Sequence, residues 1–206
     1  MVVIEVEAEV GWNDRNGNFS LVLKRGEEVP YYREFTPEEL YGLEELLKKG
    51  EVREDLVYNS VQMGVDDPYI LDGLGRLGVP LPEDALKLAR KYIEEGELTP
   101  EEHRRVHEVV EGLMGEEFVL RWGDRVKWTS EAKRARELNR RRFTYHELMR
   151  LTRDELERIA KAKGVPVKGR KEAIARAIEE HDKRRWWVGT VFERYIQEVE
   201  EAEHGG

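Results

Sequence analysis

Three cations, Lys168, Arg170 and Lys171, surround Gly169 in the stretch TRDELERIAKAKGVPVKGRKEAIARAI (152–178). They fall where the second of two short amphipathic helices is predicted to begin. The free amides of a helix N-terminus favour an anion, and glycine lets the backbone approach a ligand closely. This constellation therefore reads as a phosphate receptor. Leu156, Ile159 and Ala160 before the loop, and Ile174, Ala177 and Ile178 after it, supply the two packing faces. Val165 and Val167 close the sheltered side, Gly164 ends the first helix, and Pro166 cannot continue it.

A second cluster lies upstream. The stretch VLRWGDRVKW (119–128) predicts a tight hairpin through Gly123-Asp124. Such a hairpin would set Trp122 beside Arg121, Arg125 and Lys127, an aromatic plane with cations for a base and its phosphates. The plainer reading is a core hairpin with buried tryptophans and snorkelling cations, and it carries more weight. The basic helix SEAKRARELNRRR ends on Arg140, Arg141 and Arg142. Cations there complement the helix dipole, but their density exceeds what capping needs and suits phosphate contact.

Other motifs fail on context. GLGRLG (73–78) fits the dinucleotide pattern, yet Val79-Pro80-Leu81-Pro82 follows where a helix must open, so a glycine-rich turn is expected. His103 and His107 have the i, i+4 spacing that can place two imidazoles on one metal. No third ligand accompanies them, so surface histidines are the better reading. Asp66, Asp67 and Asp72 have no catalytic Lys or His nearby. The chain has no cysteine, which removes disulfides, thiolate chemistry and Cys-based zinc sites. No Ser-His-Asp order is visible either, so a non-enzymatic protein without a cofactor is expected.

Charge divides the chain sharply. Residues 1–120 carry 13 basic and 28 acidic side chains, net −15, whereas residues 121–185 carry 21 and 11, net +10. Residues 186–206 are net −4, and the whole chain is −9. Such asymmetry implies different partners for different segments. No apolar run approaches the length of a membrane span, and MVVIEVEAEV lacks the basic start of a signal peptide. A cytoplasmic or other intracellular setting is expected, without a membrane partner. Abundant Glu and Arg with scarce Asn and Gln lean towards a thermophilic source.

The elements that must position these residues are of α+β class, mostly α. Residues 2–10 alternate as one strand, and NDRNGN (13–18) turns into a returning strand, FSLVLK. A third short strand is expected over 29–35. Thr36-Pro37-Glu38-Glu39 opens a helix ending near Gly50, with Phe35 and Leu40 as its staple. Residues 55–82 are weakly periodic. Two helices follow, joined at Gly96, the second capped by Thr99. After the basic hairpin and helix come capping boxes at Thr144/Glu147 and Thr152/Glu155. A last amphipathic helix carries Trp186, Trp187, Phe192 and Ile196 as a partner-binding face.

The stretch LTRDELERIAKAKGVPVKGRKEAIARAI resembles the SAP module and its relatives, the HeH and Rho N-terminal modules, each a helix–extended loop–helix unit. The match runs through Leu151, Glu155, Leu156, Ile159, Gly164, Val165, Pro166, Gly169, Lys171, Ile174 and Ile178. SAP modules bind duplex DNA largely through the loop and the start of the second helix. The resemblance therefore implies Lys168, Gly169, Arg170 and Lys171 as contacts. Arg170 departs from the usual Thr or Ser cap. Ala175 replaces a larger aliphatic, so the small core needs support from neighbouring segments. More faintly, the N-terminal strand–turn–strand–helix resembles small bacteriophage virion proteins.

Four segments are expected: an acidic α+β body (1–117), a basic hairpin and helix (118–142), the SAP-like module (143–183) and a C-terminal interaction helix (184–206). The expected function is non-specific binding of duplex DNA as an accessory part of a larger assembly. The acidic body and the last helix would engage protein partners or further copies of the chain. The alternative is a virion structural or head–tail connector protein whose SAP-like module packs on protein, located in the virion; a third reading is a metal-dependent enzyme using His103, His107 and nearby carboxylates.

Overall fold

Residues 1–185 are described by the computed structural model; the interaction face expected at Trp186, Trp187, Phe192 and Ile196 lies outside them. The fold is mixed, a helical body with two small sheets. The chain forms two compact units. Unit 1 takes residues 1–11, 20–34 and 41–128; unit 2 takes 12–19, 35–40 and the chain from Thr129. The boundary thus falls at 128/129, and the basic segment 121–185 is shared between the two units.

In unit 1 the alternating N-terminus buries Ile4, Val6, Ala8 and Val10 on one side. The single strand expected there is two, β1 (Val2–Glu5) and β2 (Glu7–Asn13), interrupted at Val6. The alternation carries straight through the break while the partners change. β1 joins the sheet β1-β6-β5, with β5 at Glu51–Glu54 and β6 at Phe118–Arg121. β2 joins β4-β3-β2-β7, with β3 at Asn18–Arg25, β4 at Glu28–Phe35 and β7 at Val126–Trp128. Pro30 sits on the edge strand β4, the place a sheet tolerates a missing donor.

The tight hairpin expected at 119–128 is absent: β6 and β7 lie in different sheets. β6 pairs parallel with β1, Val2 opposite Phe118, and β7 pairs parallel with β2, Ala8 opposite Val126. The second register is offset by two extra residues, which leave the ladder between Arg121 and Val126. That excursion lets Trp122 enter the core. Its backbone amide and that of Gly123 both donate to Gly50 O, at 2.8 and 3.0 Å. A Cβ on Gly50 would stand 3.1 Å from Gly123 Cα, so this crossing needs glycine.

The helices of unit 1 are α1 (Leu40–Lys49), α2 (Leu56–Gln62), α3 (Asp67–Arg76), α4 (Glu83–Glu95) and α5 (Pro100–Leu113). A capping box at Thr36/Glu39 and another at Thr99/Glu102 start α1's leading turn and α5. GLGRLG is not a turn, because α3 runs through Gly73 and Gly75. Ile70, Leu71, Leu74 and Leu77 recur at helical spacing and are buried. Gly75 lets α4 come close: a Cβ there would meet Leu86 Cδ1 at 3.0 Å.

Unit 2 contains α6 (Ser130–Arg140), α7 (Tyr145–Met149), α8 (Arg153–Lys163) and α9, helical from 171 to the last described residue. Thr129, Thr144 and Thr152 each cap a helix by accepting from the backbone amide three residues on. Phe143, Leu148, Leu156, Ile159, Val165, Ile174, Ala175 and Ile178 form one buried cluster. Leu138 of α6 packs against it, the neighbouring support that the small Ala175 calls for.

Candidate functional site

The loop between α8 and α9 is held from both ends. Gly164 takes a left-handed conformation, φ 74°, and closes α8, while Val165 N donates to Ala160 O at 2.8 Å. Gly169 has φ 87°, and a Cβ there would meet Ala173 Cβ at 3.3 Å. Both the backbone and the space around it therefore favour glycine. Lys168 and Arg170 flank it, both exposed, with no side-chain hydrogen bond or ion pair among the described residues. Lys171 differs: it is half-buried and its Nζ donates to Met149 O at 2.9 Å, tying the start of α9 to the end of α7. The loop thus presents two free cations, with the third serving the fold.

Between α6, α8 and α9 lies a polar network that sequence reasoning missed. Lys163 is buried at the end of α8, its Nζ donating to Asp182 Oδ1 at 2.6 Å, Arg141 O at 2.6 Å and Asn139 O at 3.2 Å. Asp182 Oδ2 accepts from Phe143 N at 2.9 Å. Asn139 Nδ2 donates to Ala162 O and Pro37 O, and Arg185 Nη1 reaches Asn139 O at 2.8 Å. Burial pushes the Lys163 ammonium below its ordinary value against the pull of Asp182. Burial also works to raise Asp182, but the neighbouring His181 and the hydrogen bonds from Lys163 and Phe143 N hold it below the usual carboxylate range. The network fixes α6, α8 and α9 to one another, and so fixes the ends of the loop.

The remaining candidates divide by unit. In unit 1, Trp122 is completely buried, and its indole N–H donates to Leu47 O at 3.2 Å. It is a core residue and offers no plane for a base. Arg121 pairs with Glu51 Oε2 at 3.1 Å, and Arg125 pairs with Glu5 and bonds Trp122 O. Lys127 alone of this group is exposed without a side-chain partner among the described residues. In unit 2, Arg140, Arg141 and Arg142 are exposed, with the Arg141 guanidinium 4.9 Å over the Phe143 ring. The same unit holds a groove of about 660 Å³ whose lining includes Trp12, Arg134, Arg158, Asp154 and Val167. Nothing in the sequence pattern links Trp12 to those helices.

His103 and His107 do not converge. His103 packs edge-on to Tyr92, whereas His107 Nδ1 lies 2.8 Å from Asp67 Oδ2. Among the described residues no group of three or more His, Asp or Glu is arranged to hold a metal ion. The Asp67 hydrogen bond raises the His107 pKa. A raised folded value contributes stability that is full below the unfolded pKa of about 6.5 and is lost as pH rises through the folded value. The Tm gap between the native chain and His107→Gln is therefore expected to be larger at pH 5.5 than at pH 9. For an exposed pair it should be on the order of 1–3 °C, read by thermal melts across that range.

Among the described residues no helix is long and apolar enough to cross a membrane. Comparison with protein families, curated proteins and solved structures finds no significant match to this chain.

Proposed function

We propose that this chain is a non-enzymatic DNA-associated protein that grips the backbone of duplex DNA through its SAP-like module, as an accessory component of a larger assembly. The observation that carries the reading is the Gly169 loop, where Lys168 and Arg170 stand exposed and unpaired at the start of α9. Phosphate contacts of this kind give affinity with little sequence preference. The exposed arginines 140–142 extend the same chemistry within unit 2.

A fluorescence-anisotropy titration of a labelled duplex tests it. Binding is expected at 50 mM salt and should weaken steeply by 200 mM. Each lost phosphate contact lowers the slope of log K against log salt by about 0.9. Lys168→Ala/Arg170→Ala should therefore lower it by about 2, with the fold intact by circular dichroism. Absence of binding at low salt, or an unchanged slope in the double variant, refutes the reading.

One observation favours a second reading. Val167, beside the cations, is 37% exposed, and an apolar edge suits a protein surface. On that reading the chain is a structural or adaptor protein, such as a virion or head–tail connector component, and the module packs on protein. Pull-down of an assembly partner that Val167→Asp abolishes, together with absent DNA binding, selects it.

A further inference from the structure

We propose that a pocket formed by α3, α4 and α5 in unit 1 receives an arginine side chain from a basic segment of a protein partner. The pocket is about 310 Å³, and its lining includes Val65, Asp66, Asp67, Tyr92, His103 and Val106. That is the lower end of the range for small-ligand pockets, which suits one side chain better than a larger molecule. Its wall is aromatic: the Tyr92 and His103 rings stand edge to face at 5.7 Å, and Tyr69 meets Tyr92 edge to face at 6.4 Å. Aromatic faces attract cations.

The carboxylates have unequal roles. Asp67 is engaged by His107 at 2.8 Å. Asp66 occupies the N-cap position of α3, yet its side chain makes no capping hydrogen bond. Its carboxylate is exposed and has no partner among the described residues. A nearby cation, Lys91 of α4, is held by Glu102 at 3.2 Å and does not compete. Tyr69, which meets Tyr92, is 51% exposed, and Val65 at the lining is 36% exposed. A purely solvated acidic surface does not need such residues. The net charge of −15 over residues 1–120 repels nucleic acid and attracts a basic polypeptide. A guanidinium fits better than an ammonium, because its plane stacks on a ring while its edge pairs with a carboxylate.

The site is independent of the Gly169 loop, so its test can fail without touching the DNA reading. The full chain is titrated with an acetylated tetra-arginine peptide and a matched tetra-lysine peptide, by calorimetry and by the Tyr and His ring resonances. The arginine peptide is expected to bind tighter and to shift the Tyr92 and His103 signals. Tyr92→Leu leaves the net charge unchanged and should weaken binding about two- to fivefold, the worth of an exposed cation–π contact. Asp66→Asn should weaken it as well. His103→Ala, at an exposed position, repeats the test if Tyr92→Leu does not fold. Equal binding of both peptides with shifts spread over the acidic surface, or unchanged affinity in the ring variant that folds, overturns the proposal.

Discussion

Asp182→Ala is expected to destabilise the helical unit by about 3–5 kcal/mol, the cost of breaking a buried ion pair from one side. The variant leaves the Lys163 ammonium 1% exposed, with only two backbone carbonyls, Asn139 O and Arg141 O, as acceptors. It also strands Phe143 N, which donates to the same carboxylate. Urea unfolding followed by circular dichroism measures the loss. Its pH dependence is diagnostic. With the carboxylate gone, burial depresses the Lys163 pKa unopposed, so the folded variant releases a proton that the unfolded chain keeps until about pH 10.4. The variant should therefore regain stability as pH rises through that window. The native chain, whose Asp182 pKa is depressed, should lose stability as pH falls below the ordinary carboxylate value of about 3.9. Replacing both partners, Lys163→Met with Asp182→Leu, should recover part of the loss, since it removes the uncompensated charge while Phe143 N stays without its acceptor. A cost below ~1 kcal/mol for Asp182→Ala would mean the site is wet, with the charges screened as at a surface.

The network bears on the proposed phosphate contact because it joins the two helices that flank the loop. α8 ends at Lys163 and α9 carries Asp182, so the pair ties the two helices of the helix–loop–helix together. Lys171 adds a second tie through Met149 O. Two of the basic residues in this segment are thus internal struts. The positive charge of 121–185 overstates the charge available to a phosphate.

What was legible in the sequence is what is local. Thr36, Thr99, Thr144 and Thr152 announced their helices, because a cap needs only the amide two or three residues on. The NDRNGN turn was legible for the same reason. The partner change at Val6 was not, since Ile4, Val6, Ala8 and Val10 alternate without interruption and the switch depends on a strand more than a hundred residues away. Glycines hid α3, because their role there is the close approach of Leu86, a tertiary fact. Lys163 did leave a trace. It lies seven residues after Leu156, on the same face as Ile159 and Ala160, so helical periodicity alone places it inward. A lysine in a basic stretch reads as solvent-facing until the whole face is counted. At the loop, sequence placed Lys168, Gly169 and Arg170 where the structure leaves them open, and could not separate Lys171 from them.

Trp122 shows the reverse, a residue whose stacking role its burial denies and whose plainer reading as a buried tryptophan it bears out. Trp122→Ala is expected to cost unit 1 about 3–5 kcal/mol, the range for emptying an aromatic site in a core. Trp122→Phe keeps most of the packing and removes the indole N–H from Leu47 O, which still accepts from Gly50 N, so its cost should be smaller. The decisive comparison is with DNA. A stacking tryptophan is worth about 1–3 kcal/mol per base when truncated, and that loss would appear in duplex or single-strand affinity. A core tryptophan changes stability alone, so Trp122→Phe should shift the unfolding midpoint while leaving DNA affinity and its salt slope unchanged. Lys127→Ala supplies the complement, because an exposed, unpaired side chain leaves the midpoint where it was. If Trp122→Phe instead weakened DNA binding in a fully folded protein, the excursion between β6 and β7 would have to open to expose the ring. Backbone bonds from Trp122 and Gly123 to Gly50 O oppose that opening, and hydrogen exchange at those two amides reports directly on whether it happens.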